Sequence, residues 1–306
     1  MLVWLNGRLV PAARARVSAL DRGLLHGDGV YDTWRTYDGE PFAVAAHVAR
    51  LAAAARRLGL ASPGPATAWT VRSRLLVRKA GLADAALRLT ITRGAAGEAL
   101  LPERACPPTM LLLARPLPKD LDRRRARGIA AALLPFPRDA SGPWGGLKLV
   151  GHPSAVAGRA AAAKAGADEG LYVTASGEVT EGTTANVWLV EHGTLVTPPL
   201  DAGVLPGVTR ALVLRLARAA GVRVREEPLP VRRVRAACEL FVSASTIEVM
   251  PVVRLDRRRV GDGTPGEVTR LLQTRYRAYV MRSLALQVRG KPVRRVRTAW
   301  RGEVLR

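Results

Sequence analysis

The chain has 306 residues, 48% of them hydrophobic, enough to bury a substantial core in one large or two medium domains, which excludes a disordered protein. Its formal net charge of +23 raises the question of a nucleic-acid or anionic-membrane partner. The arginines are scattered through every expected helix, with no aromatic-interleaved stripe or groove-reading motif, so neither partner is expected.

Residues 3 to 10 read as a hairpin about Asn6-Gly7, a dipeptide that accepts the positive φ angles of a tight turn. Val3-Trp-Leu-Asn-Gly-Arg-Leu-Val lacks the basic region and apolar run of a signal peptide. A strand follows at Val30-Tyr-Asp-Thr-Trp-Arg35, where alternation puts Tyr31 and Thr33 on one face. A helix over about 45–58, closed by Gly59, sets His47 and Arg50 three apart on a common face. A second helix over about 66–80 leads to the strand Leu87–Arg93. Strands at about 109–115 and 128–134 bracket a Pro- and Arg-rich segment expected to join two domains.

Of 48 basic residues only five are lysines: Lys79, Lys119, Lys148, Lys164 and Lys291. Four have ordinary surface readings. Lys148 differs, because glycines and Trp144 precede it, apolar residues flank it, and a helix is expected from Ser154 to Ala165. An amine in such surroundings can attack an aldehyde, which arginine cannot do; a surface lysine is the bland alternative. Glu181 lies beyond the turn at Ser176-Gly177. Further on, Leu205-Pro-Gly-Val-Thr opens a helix whose N-terminal amides and Thr209 hydroxyl suit an anion. The strand ending Phe241-Val-Ser-Ala-Ser245-Thr246 offers more hydroxyls and amides. The last helix is expected to start at Thr264-Pro-Gly-Glu267 as a capping box, with Val268, Leu272 and Tyr276 on its buried face and a basic tail beyond. Cys106 and Cys238, in no metal or disulfide spacing, fit a reducing, cytoplasmic compartment, and no metal site is expected.

The succession Asp21-Arg-Gly-Leu-Leu-His-Gly-Asp-Gly-Val-Tyr31, His47-Val-Ala-Arg50-Leu, Lys148 with Gly166-Ala-Asp-Glu169, Val179-Thr-Glu181 to Asn186, and Leu205-Pro-Gly-Val-Thr-Arg210 resembles the class IV aminotransferases. These are pyridoxal 5'-phosphate (PLP) enzymes of fold type IV that include D-amino acid and branched-chain aminotransferases and aminodeoxychorismate lyase. The resemblance runs from about Val3 to Tyr279. It implies an α/β fold with a small α+β domain over residues 1–118, a linker at 119–127, and a larger barrel-like β domain with helices over 128–284 that binds PLP. Residues 285–306 would be a basic extension. The site would lie between the domains of a homodimer whose partner loop helps close it.

The same resemblance implies that Lys148 bonds the cofactor and moves the substrate proton, and that Glu181 pairs with the pyridine nitrogen so that the ring draws electrons. Arg50, Val208, Thr209, Ser245 and Thr246 would hold the cofactor, chiefly its phosphate, and Tyr31, Thr33, Arg35 and Ala244 would face the substrate. The implied reaction moves an amino group between an amino acid or amine and a 2-keto acid. Three departures matter. Glu98 and Leu100 stand where D-amino acid aminotransferases carry an arginine and a histidine for the substrate carboxylate, leaving Arg35 or Arg104 to supply that charge. His152 and Pro153 replace an asparagine and a tyrosine, and His152 reads as a packing residue. Thr33 resembles a threonine of the lyases, so release of pyruvate to give 4-aminobenzoate is the alternative. A basic nucleic-acid-binding protein on an inactive PLP fold is the second.

Overall fold

The computed structural model describes residues 1–102, 106–137 and 142–288. Arg104 and the basic tail from Arg289 lie outside the described residues. Among the described residues the chain divides into two units, the first holding Met1–Leu117 with Leu147–His152 and the second Pro118–Gly146 with the chain from Pro153 to Val288.

The first unit runs through β1 (Leu2–Leu5), β2 (Arg8–Pro11), α1 (Arg22–Leu25), β3 (Gly29–Tyr37), β4 (Glu40–Pro41), α2 (Val44–Arg57), α3 (Ala66–Lys79), β5 (Ala85–Thr92) and β6 (Thr109–Pro116). The β1–β2 turn carries Asn6 at φ 45° and Gly7 at φ 89°, the geometry its Asn-Gly pair favours. The strands form an antiparallel sheet in the order β2-β1-β6-β5-β3-β4. Because side chains alternate along a strand, Trp34, Leu87, Leu89, Ile91 and Leu112 all point to one face. There they pack with Val48, Leu51, Trp69 and Leu76 in one buried cluster. Burying each large aliphatic chain contributes about 1.5–3 kcal/mol. In α2 the buried Val44, Val48, Leu51 and Ala55 recur at the three- and four-residue spacing of a helix lying on a core. The opposite face of the sheet carries Tyr31, Thr33, Arg88 and Thr90, paired across β3 and β5 as Tyr31 with Thr90 and Thr33 with Arg88.

The second unit begins with α4 (Leu121–Arg127), β7 (Ile129–Leu133), α5 (Pro153–Lys164), β8 (Glu169–Val173), β9 (Glu178–Gly182), β10 (Asn186–Glu191), β11 (Thr194–Thr197) and α6 (Val208–Ala219). It continues with β12 (Arg223–Glu226), β13 (Leu229–Pro230), α7 (Val231–Ala236), β14 (Glu239–Ala244), β15 (Glu248–Leu255), β16 (Arg258–Arg259) and α8 (Glu267–Val288). The run β10-β14-β15-β7-β8-β9 closes on itself because β9 also pairs with β10, at Glu181 opposite Asn186. A sheet closed in this way has no free edge within the ring. The α+β unit and the barrel-like unit with helices are thus those expected from the sequence.

Three local expectations change. The segment 119–127, read as a linker, carries α4, whose start is braced by Asp120 against Arg124 at 2.7 Å. Lys148, read as part of the second domain, belongs with the first unit: Tyr31 N–H donates to Lys148 C=O and Val150 N–H to Gly29 C=O, both at 2.9 Å. Its segment thereby adds to β3, a non-local pairing that no local pattern announces. Finally, the capping box at α8 does not form. Thr264 turns to Asp262, and the Glu239 carboxylate accepts the Val268 and Thr269 amides at 2.9 and 2.8 Å instead. Leu272 and Tyr276 are buried as expected, and Val268 is half-buried.

Candidate active site

Lys148 stands on the segment paired to β3. Its Nζ lies 3.5 Å from the Tyr31 hydroxyl and 4.7 Å from the centre of the Tyr31 ring. On the same ring sits Arg88, its guanidinium 3.7 Å from the centroid, with Nε donating to Thr90 Oγ1 at 3.3 Å. Among the described residues no carboxylate pairs with Arg88. Burial draws Arg88 down from the usual arginine value; Tyr31 opposes that and Arg115 adds to it. It remains a cation at neutral pH. His152 lies beside Tyr31 with ring centres 6.3 Å apart. Tyr31 is therefore flanked by an amine, a guanidinium and an imidazole, and Thr33, directly opposite Arg88 in register, belongs to the same face.

Arg50 is held from α2 by a residue the sequence reading passed over. Asp32, 1% exposed, accepts Arg50 Nε on Oδ2 at 2.8 Å and Nη2 on Oδ1 at 2.7 Å. It also accepts His47 Nδ1 at 2.8 Å and the Thr33 amide at 2.6 Å. Burial alone would raise the Asp32 carboxyl, but the charges and hydrogen bonds of Arg50 and His47 outweigh it and hold the group far below the usual carboxylate range. His47 is pushed down by burial and by the charges of Arg50 and Lys148, against the pull of Asp32. The planar, two-point pairing fixes the orientation of the Arg50 guanidinium.

Arg35 lies four residues along β3 from Tyr31, roughly 13 Å at the rise of a strand. It stacks on Tyr37 at 4.0 Å and meets Asp84 at 3.5 Å, so its charge is engaged at the other end of the strand from Lys148. The loop holding Glu98 and Leu100 is fastened through its main chain. Arg22, 2% exposed, donates to the carbonyls of Ala99 and Leu100 at 2.5 and 2.6 Å, and His26 Nε2 to that of Glu98 at 3.0 Å. The Leu100 and Leu101 side chains are left outward.

In the second unit Glu181 is 4% exposed and accepts the Leu205 amide on Oε2 at 3.0 Å. Three residues later α6 begins at Val208, with no side-chain cap at its N-terminus. Thr209 Oγ1 lies 3.4 Å from Ser245 Oγ, at the turn between β14 and β15 that also carries Ala244 and Thr246. The structure thus brings Val208, Thr209, Ser245 and Thr246 together. Uncapped first-turn amides, the positive end of the helix dipole and two hydroxyls make a donor set for a phosphate. A buried carboxylate hydrogen-bonded to the chain just ahead of that helix, Glu181 on Leu205, suits a protonated ring nitrogen. These residues fit PLP. A separate cavity of about 570 Å³, lined by Ala131, Lys164, Arg254 and Arg257, shares none of them. Among the described residues no group of three or more His, Cys, Asp or Glu side chains could hold a metal ion, and no helix is long and apolar enough to cross a membrane.

Arg88 and Asp32 are the site residues that sequence reasoning missed. The register of β3 against β5, which puts Arg88 beside Tyr31, depends on a pairing across more than fifty residues; Asp32 had a nearer signal, since it adjoins Tyr31 as the one carboxylate of its strand.

The sequence profile described as amino-transferase class IV matches residues 29–255. A protein of Methanocaldococcus jannaschii assigned provisionally as a branched-chain-amino-acid aminotransferase is 34% identical over 277 residues, covering 90% of this chain and 96% of that one. The D-alanine aminotransferase of Staphylococcus aureus strain MW2 is 30% identical over 279 residues, covering 91% and 97%. The crystal structure of the Escherichia coli branched-chain amino acid aminotransferase superposes with a TM-score of 0.83 at 28% identity, covering 89% of this chain and 92% of that one. The chain belongs to the class IV aminotransferases, the PLP-dependent enzymes of fold type IV.

Proposed function

We propose that the protein transfers an amino group between an amino acid or amine and a 2-keto acid bearing a second acidic group. The observation that carries this reading is the Tyr31 ring, with the Lys148 amine on one contact and the carboxylate-free Arg88 on another. PLP, when bound, supplies an aldehyde that captures amines and a ring that withdraws electrons from the substrate Cα. Lys148 would hold the cofactor at that aldehyde, and its Nζ would take the proton from substrate Cα, with the Tyr31 hydroxyl, 3.5 Å away, steadying it. Glu181 would keep a proton on the pyridine nitrogen. Arg50, the Val208 amide and the Thr209 and Ser245 hydroxyls bind phosphate, with Thr246 and Ala244 shaping that turn. Arg88 pairs with the second acidic group of the substrate as a two-point donor.

A lyase that releases pyruvate from aminodeoxychorismate is the second reading, favoured by Thr33 opposite Arg88. Incubation of the enzyme with PLP, a panel of amino donors and a dicarboxylic keto acid, and separately with aminodeoxychorismate, separates the two. Ketone formation from a donor supports transfer. Turnover of aminodeoxychorismate alone would end it.

A homodimer fits the surface around the fastened loop, where Leu24 is 72% exposed and Leu100 and Leu101 each 82%. Apolar groups clustered in this way mark an interaction face, and sedimentation at twice the chain mass is the expected result. Both cysteines are free thiols, which supports a reducing compartment such as the cytoplasm.

A further inference from the structure

Glu181 and the N-terminus of α6, the two ends of the proposed cofactor site in the second unit, are joined through a single residue, Leu205. Glu181 Oε2 accepts the Leu205 N–H at 3.0 Å, and Asn186 Nδ2 donates to the Leu205 C=O at 2.9 Å. Glu181 and Asn186 face each other where β9 meets β10, so one register point of the barrel grips residue 205 by both of its polar groups. The Asn186 carboxamide also lies against Gly207: a Cβ built there would stand 2.1 Å from Asn186 Oδ1, so only glycine admits that approach. Gly207 is the residue before α6. One side chain thus touches the chain on either side of Pro206, just ahead of the Val208 and Thr209 amides.

The turn that carries both gripping residues is itself pinned. Gly182 N–H donates to Ala185 C=O at 2.7 Å, and the Glu169 carboxylate, 3% exposed, accepts the Thr183 amide at 3.1 Å and the Thr184 hydroxyl at 3.2 Å. The Thr183 hydroxyl reaches it as well. Asn186 therefore projects from a support with little freedom. It is 5% exposed, and burying an amide is favourable only when it is hydrogen-bonded.

We infer that Asn186 is a positioning residue that locks the α6 N-terminus to the strand bearing Glu181, so that the acid for the ring nitrogen and the donors for the phosphate act as one rigid body. This rests on the reading of Glu181 and α6 as the PLP site. Without the Asn186 bond, α6 would keep its amides and hydroxyls but lose their fixed distance from Glu181. The cost should appear in how much the phosphate adds to affinity, more than in the affinity for the ring.

The test compares the wild-type chain with Asn186→Ala and Asn186→Asp. Backbone amide exchange across residues 203–212 is measured without cofactor, and affinity is measured for PLP and for pyridoxal, which lacks the phosphate. In Asn186→Ala, exchange at these amides should quicken while β10 stays protected. The ratio of PLP to pyridoxal affinity should fall by about five- to tenfold, the scale of one buried hydrogen bond. Asn186→Asp keeps the shape but sets a carboxylate against the Leu205 carbonyl. Its ratio should recover toward wild type as the pH is lowered and an O–H donor returns. If wild type binds PLP tightly and the ratio or the exchange is unchanged in Asn186→Ala, the inference is wrong and the cofactor reading survives. If wild type binds neither compound, the cofactor reading fails and takes the inference with it.

Discussion

Asp32 and Arg50 meet fork to fork, Oδ2 to Nε at 2.8 Å and Oδ1 to Nη2 at 2.7 Å, across 18 residues of chain. The pair ties α2 to β3 and is buried together with His47. Removing one partner leaves the other charge uncompensated in the core, which typically costs about 3–5 kcal/mol. Asp32→Ala should lower the unfolding free energy by that scale, read as a lower denaturant midpoint at unchanged slope. It should also weaken PLP binding, because the Arg50 guanidinium loses its fixed plane. A variant as stable as the wild type would show that the pair contributes little.

Acid should unfold the protein in two stages. His47 is held below its ordinary value of 6.5 in the folded state, so the unfolded chain binds its proton first and stability falls as the pH drops below about 6.5. Asp32 is likewise lowered from 3.8. Its contribution is complete above that value and is lost as the pH falls further, through its depressed folded value. Unfolding midpoints measured across this range should decline in both windows, and His47→Gln should remove the upper one and shrink the lower one, because His47 helps hold Asp32 down.

Arg88 should decide which keto acids are accepted. A hydrogen bond to a charged group is worth about 1.5–3 kcal/mol, so Arg88→Met should raise KM for a dicarboxylic keto acid roughly ten- to a hundredfold. Monocarboxylic acceptors should change less, and kcat should change little. Initial-rate kinetics with both acceptor types check this; an equal loss on both would mean that Arg88 only supports Tyr31.

Glu181→Gln keeps an oxygen for the Leu205 amide while removing the charge. The fold and its melting temperature should therefore be nearly unchanged, and kcat should fall by about a hundred- to ten-thousandfold, the range expected when a positioned proton-holding group is lost. Parallel calorimetry and kinetics separate this from simple destabilisation.

Much of the architecture could be read along the chain, since the helices at 44–57 and 66–79 and the hairpin at Asn6-Gly7 declare themselves through spacing and turn chemistry. What stayed hidden depends on pairing between distant segments. Lys148 is conspicuous as one of five lysines, yet its attachment to β3 is set by main-chain bonds to Tyr31 and Gly29. Arg88 looked like any other arginine until strand register put it on Tyr31. The helix α4 was concealed by the Pro- and Arg-rich composition around it. At α8 the expected Thr264 cap loses to Glu239, which answers the same amides from a strand far away in sequence.

The central claim is that the Lys148 amine carries the cofactor, and chemical mapping tests it most directly. The PLP-loaded protein is reduced with borohydride, digested, and the pyridoxyl-modified peptide sequenced by mass spectrometry. The account predicts a single adduct on Lys148, absent from Lys148→Arg. An adduct on any other lysine, or none in protein that has bound PLP, would contradict it.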